Sequence, residues 1–169
     1  MERRMPRIIE RECMSLSPEK PLSRLLKKIG RFFLRRLEQP IPSYEQRIIN
    51  NLDNLYREIR PGDVLLVEGN SRIGRIIQML TRSAWSHAAL YVGNRPGLMD
   101  NPHVVIEQDD ISETDLKHML VEADGGNGVI AVPLAKYRDF NIRICRPFGI
   151  SAHDVSVVVD AALANLGKH

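Results

Sequence analysis

At Arg60 the rhythm of apolar residues changes, and that change limits what this chain can fold into. Before it, apolar residues recur at the spacing of a helical face; after it, they come in short runs closed by Gly, Pro, Asn or Asp, the punctuation of strands. Pro61-Gly62-Asp63 reads as a turn, Val64 to Val67 as a strand ended by Glu68-Gly69, and His87 to Val92 as a second strand closed by Gly93. Residues 94–103 are a loop rich in Asn, Pro and Gly. Met119 to Ala123 and Val129 to Val132 form a hairpin around Asp124-Gly125-Gly126-Asn127, and Asn141 to Arg146 is one more strand. Helices are expected from Ser71 to Thr81, with Ile73, Ile76, Ile77 and Leu80 on one side, and from Ser151 to Leu166, with Ser151 or His153 near its start. Upstream, Tyr44 to Ile59 reads as a helix capped by Ser43, with Ile48, Ile49, Leu52, Leu55 and Ile59 inward. Short strands mixed with helices make an α+β pattern.

The 169 residues suggest one domain with a real core, and an aromatic content of 5% leaves most packing to aliphatic side chains. The net charge of +3 is unevenly placed. From Met1 to Glu38 there are eleven Arg or Lys against five Glu, a balance of +6, so the remainder carries −3. The basic character therefore belongs to an N-terminal arm, residues 1–42, and not to the domain that follows, residues 43–169; this argues against a nucleic-acid-binding core. Pro21 to Leu37 reads as an amphipathic helix, with Leu22, Leu25, Leu26, Ile29, Phe32, Phe33 and Leu37 on one face and six cations opposite, ended by Pro40 and Pro42. Such a helix fits an anionic membrane surface or a partner, against the alternative that its apolar face packs on the domain. No run is apolar enough to span a bilayer, and the first thirty residues lack a secretory pattern. Cys13 and Cys145 fit no metal spacing and are expected as reduced thiols. The localisation these features imply is cytoplasmic, with peripheral contact at the inner membrane.

In His87-Ala88-Ala89-Leu90-Tyr91-Val92, period-2 alternation puts His87, Ala89 and Tyr91 on one face, and Ala88, Leu90 and Val92 are expected to face the core. A histidine at the start of a strand, beside small residues, has room for a substrate, although many such residues are simply half-exposed. His103, His118 and His153 sit in polar surroundings without ligand spacing, so no metal is expected. Asp109, Asp110, Glu113 and Asp115 read as a solvated loop, and Gly125-Gly126-Asn127-Gly128 as a hairpin turn with no following helix to make it a phosphate loop.

Gly62-Asp63-Val64 opening a strand, followed by Ser86-His87-Ala88-Ala89-Leu90-Tyr91-Val92-Gly93, resembles the circularly permuted NlpC superfamily of papain-like proteins. The likeness is to its YiiX- and YebB-like bacterial branch, related to the lecithin:retinol acyltransferase-like proteins. It covers roughly Arg60 to the C-terminus, and its specific part is Asp63 and Ser86 to Gly93. It implies a papain-like fold, with a small antiparallel β-sheet or barrel and flanking helices. It implies a thiol hydrolase or acyltransferase acting on an amide or ester, in a cell-wall peptide or an acyl lipid, with no cofactor. His87 would be the general base. Leu120-Val121-Glu122-Ala123-Asp124 supplies the polar residue that orients it, and the match selects Glu122 over Asp124. Trp85 and Tyr91 are candidates for substrate contact, against a packing role for each. Partners are thus a peptide or lipid substrate and an anionic membrane through residues 21–37; no oligomeric state is implied.

The family's nucleophile, a cysteine at a helix N-terminus after the polar residue, has no counterpart here. Cys145 lies in Ile142-Arg143-Ile144-Cys145-Arg146-Pro147, a strand context. The fold is therefore expected to be incomplete at its C-terminus, with the nucleophile segment beyond His169 or lost. A non-catalytic domain that binds a membrane or a partner is the alternative.

Overall fold

A computed structural model describes residues 37, 39–42, 44–47 and 49–169. The chain divides into two units, Met1–Phe33 and Leu34–His169, of which the second holds all the described residues. The helix expected over 21–37 lies outside them except for Leu37.

In chain order the elements are α1 (Leu52–Glu58), β1 (Val64–Glu68), α2 (Arg72–Thr81), β2 (His87–Tyr91), β3 (Met119–Asp124), β4 (Gly128–Pro133), β5 (Asn141–Cys145) and α3 (Ala152–Leu163). Single 3-10 turns occur at Leu98–Asp100, Asp115–Lys117 and Leu134–Tyr137. The class is α+β. The strands form one antiparallel sheet in the order β4-β3-β2-β1-β5, a meander whose last strand returns beside the first. The sheet stays open, so the barrel alternative does not apply. Its β4 edge is covered by short backbone pairings: Val105 N–H donates to Ala131 O, and Gly167 N–H to Val129 O. Covering removes a row of unpaired donors and acceptors that would otherwise template aggregation.

Alternation sorts the two faces cleanly. Leu65, Val67, Ala89, Tyr91, Leu120, Ile130 and Val132 share one buried cluster with Ile59, Leu134 and Tyr137. Val92, Met119, Val121 and Ala131 share the other with Val159 of α3, while Leu90 and Val155 pack at its border. The expectation for β2 holds for Leu90 and Val92, which face the core under α3, and is corrected for Ala88. Its larger core lies on the His87 side, through Ala89 and Tyr91, and Ala88 on the opposite face is exposed. The sequence shows two faces, but which one receives the longer apolar side chains of β1, β3 and β4 is a matter of register.

Asp63 ties the start of β1 to the end of β5. Its carboxylate accepts Arg146 Nε at 2.9 Å, Arg146 Nη2 at 2.8 Å and the Arg60 amide at 2.8 Å, and it is buried. Gly62 beside it has φ +91°, and a Cβ there would stand 2.7 Å from Val155 Cγ1 of α3. The turn therefore needs glycine for both its backbone and its closeness to the helix.

The long helix expected from Tyr44 shortens to Leu52–Glu58. Asn51 caps it by accepting the Asn54 amide at 3.0 Å, and Asn50 uses its amide to donate to the Arg138 and Phe140 carbonyls at 2.9 and 2.7 Å. The Arg47 amide donates to Asn141 Oδ1 at 2.8 Å, and Asn141 N–H donates to the Tyr44 hydroxyl at 2.7 Å. Paired asparagines favour caps and side-chain bonding over helix interior, so this stretch is stitched to the corner before β5 instead. Ile49, expected inward, is 91% exposed.

A second correction concerns residues read as solvated. Asp115 is buried and accepts from the Tyr56 hydroxyl and from Ser112 N and Oγ at 2.8 and 2.7 Å. His118 stacks on Tyr56, ring centroids 3.9 Å apart, and its Nδ1 meets the Tyr91 hydroxyl at 2.7 Å. This polar lock joins α1 to β2 and the turn before β3.

Candidate functional site

The β2–β3 ladder pairs Leu90 with Val121 and Tyr91 with Leu120, which carries Glu122 to the place opposite Ala89. Glu122 and His87 are therefore diagonal neighbours on one face, a relation that long side chains can bridge. Over the small Ala89 they meet: His87 Nε2 lies 3.3 Å from Glu122 Oε2. The pair singled out in the sequence is thus brought together. Unlike a solvated strand residue, Glu122 is only 5% exposed.

Two residues that the sequence reading did not single out complete the arrangement. Lys136 Nζ donates to Glu122 Oε1 at 2.8 Å, and the Tyr137 hydroxyl donates to Oε2 at 2.5 Å. Both come from the Leu134–Tyr137 turn after β4, which the hairpin folds back over β3. The only sequence signal is their position just past the second hairpin strand. Burial alone would raise the Glu122 pKa, but the His87 bond, the Lys136 charge and the donors from Lys136 and Tyr137 hold it down at about 2. Burial and the adjacent carboxylate push the Tyr137 phenol far up, so it stays a donor. Glu122 is a fixed, ionised acceptor.

That fixes the chemistry of His87. A carboxylate only accepts, so the bonded Nε2 carries a proton, and in the neutral imidazole Nδ1 keeps its lone pair. His87 is half-buried and borders an open cleft of about 420 Å³. One wall is apolar, from Ile73 and Ile77 of α2 with Val67 and Phe140; the rim is polar, from Glu107, Asp124 and Lys136. A cleft-lining imidazole, an orienting carboxylate and an apolar wall can together remove a proton from a nucleophile held in the cleft.

Ser86, next to His87, also lines the cleft, with its Oγ held between β1 and α2: it accepts the Gly69 amide at 2.9 Å, and a Cβ on Gly74 of α2 would approach it to 3.0 Å. Trp85 is half-buried in the turn before β2, outside the cleft lining. Tyr91 shares the His87 face but sits at the opposite end of β2, buried and bonded to His118, also outside the cleft. Burial, with a smaller effect of Asp63, holds its phenol up at about 12. Cys145 is a strand residue, as the sequence suggested. Opposed pairs share a face, and Cys145 pairs with Val64, which pairs with Leu90, so the thiol lies on the face away from His87. The ladder offset puts it roughly 14 Å from His87. Among the described residues, no cluster of three His, Cys, Asp or Glu is arranged to hold a metal ion, and no helix is long and apolar enough to cross a membrane.

No family model matches the chain, and no curated protein matches it significantly.

Proposed function

We propose that the domain supplies the base and its orienting carboxylate to a thiol hydrolase or acyltransferase of papain-like, permuted NlpC type, acting on an amide or ester. The observation that carries the reading is the His87–Glu122 contact, backed by Lys136 and Tyr137, which leaves Nδ1 basic at an open cleft. His87 would take the thiol proton through Nδ1 and return it to the leaving amine or alcohol, with Glu122 stabilising the imidazolium between the steps. The thiol would come from outside the described residues, because Cys145 faces away. Cell-wall peptide and acyl lipid are the two substrate classes. The apolar wall of Ile73, Ile77 and Phe140 supports the lipid, as does the basic amphipathic segment 21–37, the proposed peripheral contact with an anionic membrane.

A second reading is a binding domain without turnover, favoured by the absence of a thiol on the His87 face among the described residues. One experiment separates the two. The protein, expressed from its own reading frame, is offered acyl esters and peptide amides, with iodoacetamide as thiol probe. The enzymatic reading expects turnover that falls about 10²–10⁴-fold in His87→Ala, the usual contribution of a positioned base. It also expects that alkylation of a cysteine other than Cys145 abolishes turnover. Turnover indifferent to His87→Ala sinks it; no turnover and no fast-reacting thiol favours the binding domain.

A further inference from the structure

Helix α2 turns its largest apolar residues away from the domain. The sequence groups Ile73, Ile76, Ile77 and Leu80 on one side, yet the fully buried position is Gly74, with Ile73 and Ile77 only half-buried beside it. Ile76, Met79 and Leu80 are 42%, 70% and 74% exposed. They stand one turn apart at i, i+3 and i+4 and so form one patch, which continues into an open groove beside Leu37, Ile41 and Pro42. Scattered exposed hydrophobes need no explanation, but a contiguous patch marks a surface that is covered in use.

Charge indicates the cover. Arg72, Arg75 and Arg82 are exposed around the patch, and none of their guanidinium groups meets a carboxylate among the described residues. Between Glu68 and Asp100 the sequence contains no acidic residue. Trp85 sits half-buried in the turn that follows the helix. Cations beside exposed aliphatic side chains match the anionic lipid–water interface, where arginines reach headgroups and the apolar face enters the acyl boundary. We propose that the outer face of α2, through Ile76, Met79, Leu80 and Trp85, inserts into an anionic lipid surface, with Arg72, Arg75 and Arg82 on the headgroups. The proposal does not depend on the catalytic reading. Because Ile73 and Ile77 of the same helix line the His87 cleft, insertion would set the cleft about one helix diameter, roughly 10 Å, from the bilayer.

The chain has a single tryptophan, Trp85, five residues past Leu80, so its emission has one source. The full chain is titrated with phosphatidylcholine vesicles, with and without phosphatidylglycerol, carrying brominated acyl chains. With the anionic vesicles, Trp85 emission should shift to the blue and be quenched, and salt should weaken the effect. Each cation near the surface is worth about fivefold in partitioning, so Arg72→Glu with Arg75→Glu should cost at least about 25-fold. Met79→Asp with Leu80→Asp should abolish quenching while leaving the thermal melt in place, since both positions are exposed. Vesicles that bind the protein without quenching Trp85 would overturn the proposal, as would equal quenching by neutral vesicles or no binding at all. A drop in mass by light scattering in the Met79/Leu80 variant would assign the patch to a contact between copies and overturn it too.

Discussion

His87 and Glu122 meet diagonally across the β2–β3 ladder, Nε2 to Oε2 at 3.3 Å, above the small side chain of Ala89. Because the carboxylate only accepts, the neutral imidazole should hold its proton on Nε2. Nitrogen-15 shifts of the His87 ring, followed to a pH at which the ring is neutral, should report that tautomer. In Glu122→Gln the carboxamide offers both a donor and an acceptor, so the tautomers should mix. A wild-type ring protonated on Nδ1 would refute the proton assignment and, with it, the base role of Nδ1.

Glu122 also links the site to acid stability. Its pKa is lowered from 4.5 to about 2 in the folded chain, so the unfolded state binds the proton first as pH falls. The stabilisation from the ionised form is complete above about pH 4.5 and is lost progressively as pH falls toward 2. Urea melts between pH 5 and 2.5 should show a steeper loss for wild type than for Glu122→Gln, which is less stable at pH 7 but lacks this titration. Parallel curves would contradict the depressed pKa.

Asp63→Asn should destabilise the domain. It removes the charge that Arg146 brackets through two nitrogens, while Arg146 remains partly open to water. Breaking a fully buried pair costs about 3–5 kcal/mol, and the exposure of Arg146 puts the expected loss below that range. Denaturant unfolding checks this; a change under about 0.5 kcal/mol, the scale of an ordinary surface substitution, would mean the clip does not hold β1 to β5.

His118 gives a second pH dependence of the same sign. Burial lowers its pKa, only partly opposed by Asp115 and assisted by Lys117. The folded state therefore resists protonation more than the unfolded one. Stability should be full above about pH 6.5, the ordinary histidine value, and decline as pH falls through the lower folded value. His118→Gln, which keeps an acceptor for the Tyr91 hydroxyl, should flatten the thermal-melt profile just below pH 6.5. A wild-type profile already flat there would show that this histidine titrates alike in both states.

Much of the fold was legible because local periodicity carries it. The strands from β1 to β5, the β3–β4 hairpin and the helices α2 and α3 lie where alternation, glycine turns and serine caps put them; Ser151 closes a full capping box with Asp154. Alternation in two strands was also enough to set His87 and Glu122 on one face of each, because a period of two allows only two answers. What alternation does not decide is which answer is buried. The register of β1, β3 and β4 made the His87 side the larger core, which turned Tyr91 from a candidate for substrate contact into an interior residue tied to His118. Tertiary contact likewise ended the helix before Leu52, where Asn50 and Asn141 found partners almost a hundred residues apart in the chain. It brought Lys136 and Tyr137 onto Glu122, and it left Ile76 and Leu80 of α2 facing outward. These outcomes share one physical reason: hydrogen bonds and burial between distant segments depend on how the sheet closes its neighbours together, and no spacing within one segment encodes that.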